Sequence, residues 1–375
     1  MSPAAVAALA SYQAECDEPA GYLDFARVGG PLCVVRRARA AALEQFACST
    51  DPVGVLEHER EHARELAARL AGFQSSEVTF AASTTAALFA VSFGMQAADT
   101  VMVPMGEFPA NVIPWLRASA RGGPQVVRAN RRADGAFTAD EVRAALTPEV
   151  SAVTISAVDY RTGWRAPLAD IREVIGPERL LIVDAIQGFG VSDLTLEVAD
   201  VVASGGQKWL RSGWGAALLA VREGAAERLT TDLGGWAGLR DPYAATFGSN
   251  PGPNVEQAER FLMTNTDLEA ISGLGAGLGA VESCGVGVLS AALSEVTRHV
   301  LDVLALRGAE VVGSTWAEGS RAGIISFCLV GEPADETHER LRRAGVTATV
   351  REGFVRLSPH VSTSVATLER LASSL

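Results

Sequence analysis

Three residues in the middle of the chain could serve one cofactor. Asp184 closes an apolar run, Leu181-Ile-Val-Asp184, and Gln187 follows three positions on. Lys208 lies 24 residues after Asp184, in the Gly-rich turn Ser204-Gly-Gly-Gln207-Lys208-Trp209. A buried carboxylate needs a cationic partner and can keep a pyridine nitrogen protonated. An amide can hydrogen-bond a ring hydroxyl, and a lysine amine can form an imine with an aldehyde. Each piece alone has a plainer reading. Apolar runs ending in Asp are common in parallel strands, and most surface lysines are merely solvated. Order, spacing and the adjacent Trp209 together point to a pyridine cofactor held as an imine.

The pattern resembles the fold-type I pyridoxal-phosphate enzymes of the class V aminotransferase family. That family includes cysteine desulfurases, isopenicillin N epimerase-like proteins and kynureninases. The resemblance runs over about residues 20 to 373 and is most specific from Asp184 to Lys208. It implies pyridoxal 5'-phosphate as cofactor, an amino-acid substrate, and a homodimer with its sites at the interface.

Other segments take roles by the same resemblance. Ser83-Thr84-Thr85, between a strand and a helix, matches the first phosphate-binding turn; a plain helix N-cap reads the same way. Phe108, in Glu107-Phe108-Pro109-Ala-Asn111, stands where the family stacks a residue on the ring. Cysteine desulfurases typically have His there, and Phe can stack but cannot shuttle protons. Tyr160 falls where a polar side chain reaches the cofactor's phenolic oxygen or the substrate. Gln207 and Ser204 are expected near the phosphate, and Thr264-Asn265 in a segment that crosses to the neighbouring subunit. Arg351 and Arg356 lie on a C-terminal strand pair whose second Arg binds the substrate α-carboxylate. Arg27 replaces a residue that is usually small in the N-terminal active-site segment, and would read an extra acidic or polar part of the substrate.

The reaction is less fixed than the cofactor. Removal of the Cα proton by the lysine amine opens transamination, epimerisation and β-elimination alike. Desulfuration in this family uses a Cys between the two C-terminal arginines, and residues 352–355 contain none. The leading expectation is a β-eliminating C–S lyase on a cysteine S-conjugate in a biosynthetic pathway. A class V aminotransferase, an epimerase or a decarboxylating deaminase of a natural-product pathway is the alternative. A regulatory or scaffold protein on the same fold would need none of the proton chemistry of Lys208 and Asp184. A P-loop nucleotide-binding protein is disfavoured because no GxxxxGK[ST] occurs.

Apolar runs of strand length fall at 78–81, 101–104, 125–128, 152–156, 180–184, 201–204 and 216–221. Helical patterns between them include 56–73, 85–96 and 138–146. This alternation predicts an α/β fold whose large domain carries a mainly parallel seven-stranded sheet. After about residue 270 the pattern changes. A small-residue helical region, 268–306, precedes strand-like runs at 323–329, 346–350 and 354–357 and a last helix at 364–371. The expected division is a large cofactor-binding domain over 31–265 and a smaller α+β domain from 1–30 and 266–375. The Gly- and Pro-rich stretch 234–253 reads as the join.

Composition narrows the partners. The 375 residues carry a net charge of −12 with no basic cluster, which disfavours nucleic acid. Five scattered Cys without a CxxC pair suggest reduced thiols, with no zinc site. His58 and His62 share a helix face, but a charged, solvated one. The N-terminus lacks a basic signal-peptide region. The uncharged stretch 78–98 contains Ser83, Thr84, Thr85, Ser92 and Gln96, so a buried strand and helix explain it better than a membrane span. These features predict a cytoplasmic enzyme with no membrane partner.

Overall fold

The computed structural model describes residues 1–245 and 252–375. Of the Gly- and Pro-rich stretch, residues 246–251 therefore lie outside the described residues. The larger sheet has seven strands: β1 (Val78–Ala81), β2 (Thr100–Pro104), β3 (Gln125–Ala129), β4 (Ala152–Ser156), β5 (Leu180–Asp184), β6 (Val201–Gly205) and β7 (Ala217–Val221). Their spatial order is β1-β7-β6-β5-β4-β2-β3. The five central and edge strands from β6 to β3 run parallel, while β7 is antiparallel to both of its neighbours.

Every residue of β2, β5, β6 and β7 is buried, which explains their near-continuous apolar sequences. Alternate residues feed two cores. Leu181 and Val183 face one side with Leu66, Leu274 and Leu278. Ile182 faces the other with Leu88, Val91 and Leu219. A strand with a core on each face cannot slip register by one residue without exchanging both sets.

Helix α1 spans Pro3–Ala14, α2 Cys33–Cys48, α3 Pro52–Ala71 and α4 Thr84–Gly94. Asp51 caps α3 by accepting the Gly54 N–H, and Gly72 ends it at φ +74°. The small-residue region 268–306 is two helices, Leu268–Cys284 and Val286–Leu306, bent by 84° at Gly285 (φ +89°). No single helix among the described residues is long and apolar enough to cross a membrane; that bent pair passes by length and composition only.

A second sheet, antiparallel and in the order β10-β11-β9-β8, holds β8 (Ala309–Val311), β9 (Ile325–Leu329), β10 (Thr349–Arg351) and β11 (Phe354–Leu357). Its core joins Phe327, Val355 and Leu357 to Val300, Leu341 and Leu371. Leu23, from the N-terminal segment, belongs to the same core, and bridges at Tyr22–Thr347 and Asp24–Ser358 lay that segment beside the small sheet. Leu9 and Tyr12 of α1 pack instead in the core of the large sheet. The segment 22–29 thus lies where the two sheets meet, beside the carboxyl ends of β5 and β6. Crevices at the carboxyl ends of parallel strands are where open α/β sheets bind ligands.

Candidate active site

The carboxyl end of β5 places Asp184 in the interior, at 1% exposure. Its Oδ1 accepts the Ile186 N–H at 3.0 Å, and it has no ion pair among the described residues. Burial pushes this carboxyl up to about 6, against the pull of the Ile186 N–H and of Lys208, while Glu107 raises it further. Lys208 follows β6 in the turn. Burial lowers its ammonium to about 8; Asp184 counteracts this and Arg356 reinforces it. Near neutrality a useful fraction of the amine is therefore unprotonated, as a nucleophile or base requires. Lys208 is also the only lysine in the chain: every other member of the 32 Lys and Arg is Arg.

Gln187 has a fixed orientation. The Trp209 indole N–H donates to Gln187 Oε1 at 2.7 Å, and Gln187 Nε2 donates to the Ala26 carbonyl at 2.9 Å. An indole nitrogen can only donate, so the amide oxygen must face it. One Nε2 proton remains for a further acceptor.

Helix α4 presents its N-terminus to the same space. Ser83 Oγ caps it by accepting the Ala86 N–H at 3.1 Å. Thr84 Oγ1 accepts the Gly205 N–H at 2.8 Å, tying the helix start to the end of β6. A Cβ at Gly205 would lie 2.4 Å from Gln207 Oε1 and 3.2 Å from Thr84 Oγ1, so a side chain there would push Gln207 aside. The free N–H groups of the first turn, with Thr85 and Gln207 beside them, suit an anion.

Phe108 covers the amine. Its ring centroid is 5.5 Å from Lys208 Nζ and 5.0 Å from the Tyr160 ring, edge to face. The turn below Phe108 is anchored from both sides. Glu107 accepts from Arg131 at 2.8 Å and from the Ser156 N–H at 3.2 Å. Asn111 donates to Glu107 at 3.3 Å and accepts from Thr154 at 2.6 Å and from Trp115 at 3.3 Å. Burial raises the Tyr160 phenol above its ordinary value.

Arg356, on β11, is 2% exposed and pairs with the equally buried Asp24 at 3.1 Å. Its Nη1 donates to the Tyr160 carbonyl at 2.8 Å, and Thr349 Oγ1 holds the other Asp24 oxygen at 2.8 Å. Arg356 Nε is buried with no hydrogen-bond partner among the described residues. Arg27 is exposed and has no side-chain hydrogen bond or ion pair among the described residues. Arg351 is also exposed and donates only to the Val350 carbonyl, at 3.1 Å.

One cavity of about 290 Å³ collects Ser83, Thr84, Thr85, Phe108, Tyr160, Asp184, Gln187, Gln207, Lys208, Arg27, Arg351 and Arg356. Ser204 is buried within β6 and does not line it. Thr264 and Asn265 line two neighbouring hollows instead. A larger open groove, beside Thr138, Trp164 and Glu318, contains none of these residues. The cavity suits pyridoxal phosphate on three observations. Among the described residues a buried carboxylate lacks a cation, an oriented amide has a spare N–H, and a helix N-terminus opens beside a glycine whose missing side chain leaves room for Gln207.

Sequence reasoning did not assign Asp24, the clamp role of Trp209, the Glu107–Asn111 anchor, or Trp214, which lines the cavity at 63% exposure. The uniqueness of Lys208 was available by counting. The Asp24 partnership was not, since its partner is 332 residues away.

The family model for aminotransferase class-V matches residues 52–361. The chain is 24% identical to an uncharacterized aminotransferase, YcbU, of Bacillus subtilis (strain 168), over 80% of this chain and 78% of that protein. It is 25% identical to a probable hercynylcysteine sulfoxide lyase of Mycobacterium tuberculosis (strain CDC 1551 / Oshkosh), over 89% of each chain. The fold is that of the apo cysteine desulfurase from Thermococcus onnurineus NA1, with a TM-score of 0.85 at 18% identity, over 94% of this chain and 93% of that one.

Proposed function

The chain belongs to the class-V aminotransferase family and is a pyridoxal-phosphate-dependent enzyme, and on that premise we propose that it is a β-eliminating C–S lyase acting on a cysteine S-conjugate in a biosynthetic pathway. One observation carries the reading. Among the described residues, the cavity that holds Lys208 is lined by no Cys and no His. A sulfur-accepting thiol is what desulfuration would need. The probable hercynylcysteine sulfoxide lyase, similar over nearly the whole chain, supports C–S cleavage as the outcome.

Bound pyridoxal phosphate supplies an electron sink that makes a Cα–H bond of an amino acid acidic. Lys208 would hold its aldehyde, and its buried amine would accept the Cα proton on Nζ. Asp184 keeps the ring nitrogen protonated, the cation its buried carboxylate lacks. Gln187 gives its remaining N–H to the ring hydroxyl. Ser83, Thr84, Thr85 and Gln207, with Ser204 behind them, hold the phosphate at the start of α4. Phe108, over Lys208 Nζ, would cover the ring and exclude water. Arg356 orients the substrate α-carboxylate through Nε and its free N–H groups. Tyr160 supplies the proton for the departing sulfur. The reading includes a second copy of the chain, with Thr264 and Asn265 set against the neighbour's phosphate, and a cytoplasmic setting.

The test is the product balance. Loaded enzyme given an S-substituted L-cysteine is expected to release thiol, pyruvate and ammonium in equal amounts, taking up one water. A keto acid that keeps the sulfur substituent would replace this reading with transamination.

A further inference from the structure

The arginines around the cavity divide into two kinds. Arg161, beside Tyr160, is neutralised by Asp159 and Glu352, each at 3.2 Å. Arg356 is neutralised by Asp24. Arg27 and Arg351 line the same cavity, and neither has a carboxylate within ion-pair distance among the described residues. Among the described residues, the only acidic one lining the cavity is Asp184, which is buried.

The surroundings do not supply the missing counterion. Glu352 directly follows Arg351 but turns away to Arg161. It sits at φ +50°, in the tight turn between β10 and β11. Arg27, in contrast, has a firmly held backbone and a free side chain. Its N–H donates to the Asp24 carbonyl at 3.0 Å. Its neighbour Ala26 is fixed at N by Ser358 Oγ and at O by Gln187. Two residues on, the Gly29 N–H donates to the Gln207 carbonyl at 2.9 Å, which links the segment to the lysine turn. A guanidinium carried on a fixed backbone beside the cavity, with no carboxylate partner among the described residues, is available to an anion.

We infer that the amino-acid substrate carries a second anionic group, a carboxylate or a comparable oxyanion on the side chain beyond the sulfur, bound by Arg27 and Arg351. This rests on the C–S lyase reading for the sulfur and deepens it by naming a dianionic substrate class. Arg356 remains for the α-carboxylate, so the two anionic ends are read by different arginines.

The experiment uses two nearly isosteric ligands, S-carboxymethyl-L-cysteine and its neutral amide, S-carbamoylmethyl-L-cysteine. Binding to the loaded enzyme is read from the change in visible cofactor absorbance, and turnover from pyruvate. The acid is expected to bind about 10- to 100-fold more tightly than the amide, the range for charge-assisted hydrogen bonds. Arg27→Gln and Arg351→Gln should each shrink that preference, and the double variant should bring it near parity. An amide that binds as well as the acid, or a preference that survives the double variant, would overturn the inference. Loss of cofactor from either variant would also overturn it, by assigning these arginines to the phosphate. Pyruvate formation tests the other reading separately: a binding preference without pyruvate sinks the lyase assignment and leaves the second anion standing.

Discussion

Trp209 donates its indole N–H to the side-chain oxygen of Gln187 at 2.7 Å, and this bond decides which way the amide faces. The residue directly after the lysine therefore orients the group that addresses the ring hydroxyl. That donor ties the turn carrying Lys208 to the turn after β5.

Trp209→Phe removes that donor and leaves a buried amide oxygen unpaired, which costs about 1–3 kcal/mol. The expected result is a roughly 5- to 100-fold fall in kcat/KM with cofactor still attached to Lys208. Steady-state kinetics beside the visible spectrum check it. Unchanged kinetics would show that Gln187 needs no such clamp.

Asp24→Ala strands the Arg356 guanidinium without its buried counterion. A loss of about 3–5 kcal/mol in denaturant unfolding is expected. The double variant Asp24→Leu with Arg356→Met should be more stable than Asp24→Ala alone, because neither charge is then left unpaired. Arg356→Ala should lower kcat/KM by about 100-fold or more for every amino acid turned over.

Lys208 should titrate unusually low in the cofactor-free protein. Burial favours its neutral form, so the folded chain binds fewer protons than the unfolded chain between pH 8 and 10.5. This group therefore adds stability as pH rises through that window and is least favourable below it. With one lysine in the chain, acylation rates measured on the Lys208 peptide report the group directly. Half-maximal reactivity is expected near pH 8. A midpoint above pH 10 would show an ordinary solvated amine.

Asp184→Ala should reduce turnover by at least about 100-fold, since the ring nitrogen loses the carboxylate that keeps it protonated. Asp184→Glu should restore part of it if charge is what matters. Kinetics on both variants at matched cofactor occupancy check the point. Near-normal turnover in the alanine variant would remove Asp184 from the mechanism.

Much of this was legible because local sequence and long-range structure agree. Strands buried on both faces, such as β5 and β6, read as unbroken apolar runs, and the polar residues that interrupt them mark the site. The bend at Gly285 was hidden among Gly273, Gly275, Gly277 and Gly279, so 268–306 read as one region. Strand β8 is three residues long and partly exposed, leaving no apolar run to notice. Asp24 reads as an ordinary polar residue near a turn until the fold brings Arg356 and Thr349 to it. Glu107 likewise acquires its meaning only when Arg131 and Ser156, from two separate segments, join Asn111 around it.

The central claim is that this chain holds pyridoxal phosphate through Lys208, and the sequence makes that unusually direct to measure. Borohydride reduction of the active, loaded protein, followed by intact mass and peptide mapping, has one side-chain amine to report on. The account predicts one phosphopyridoxyl group per chain, on the peptide containing Lys208, and none in Lys208→Ala. An active preparation with no added group, or with the group only on the N-terminal amine, would contradict it.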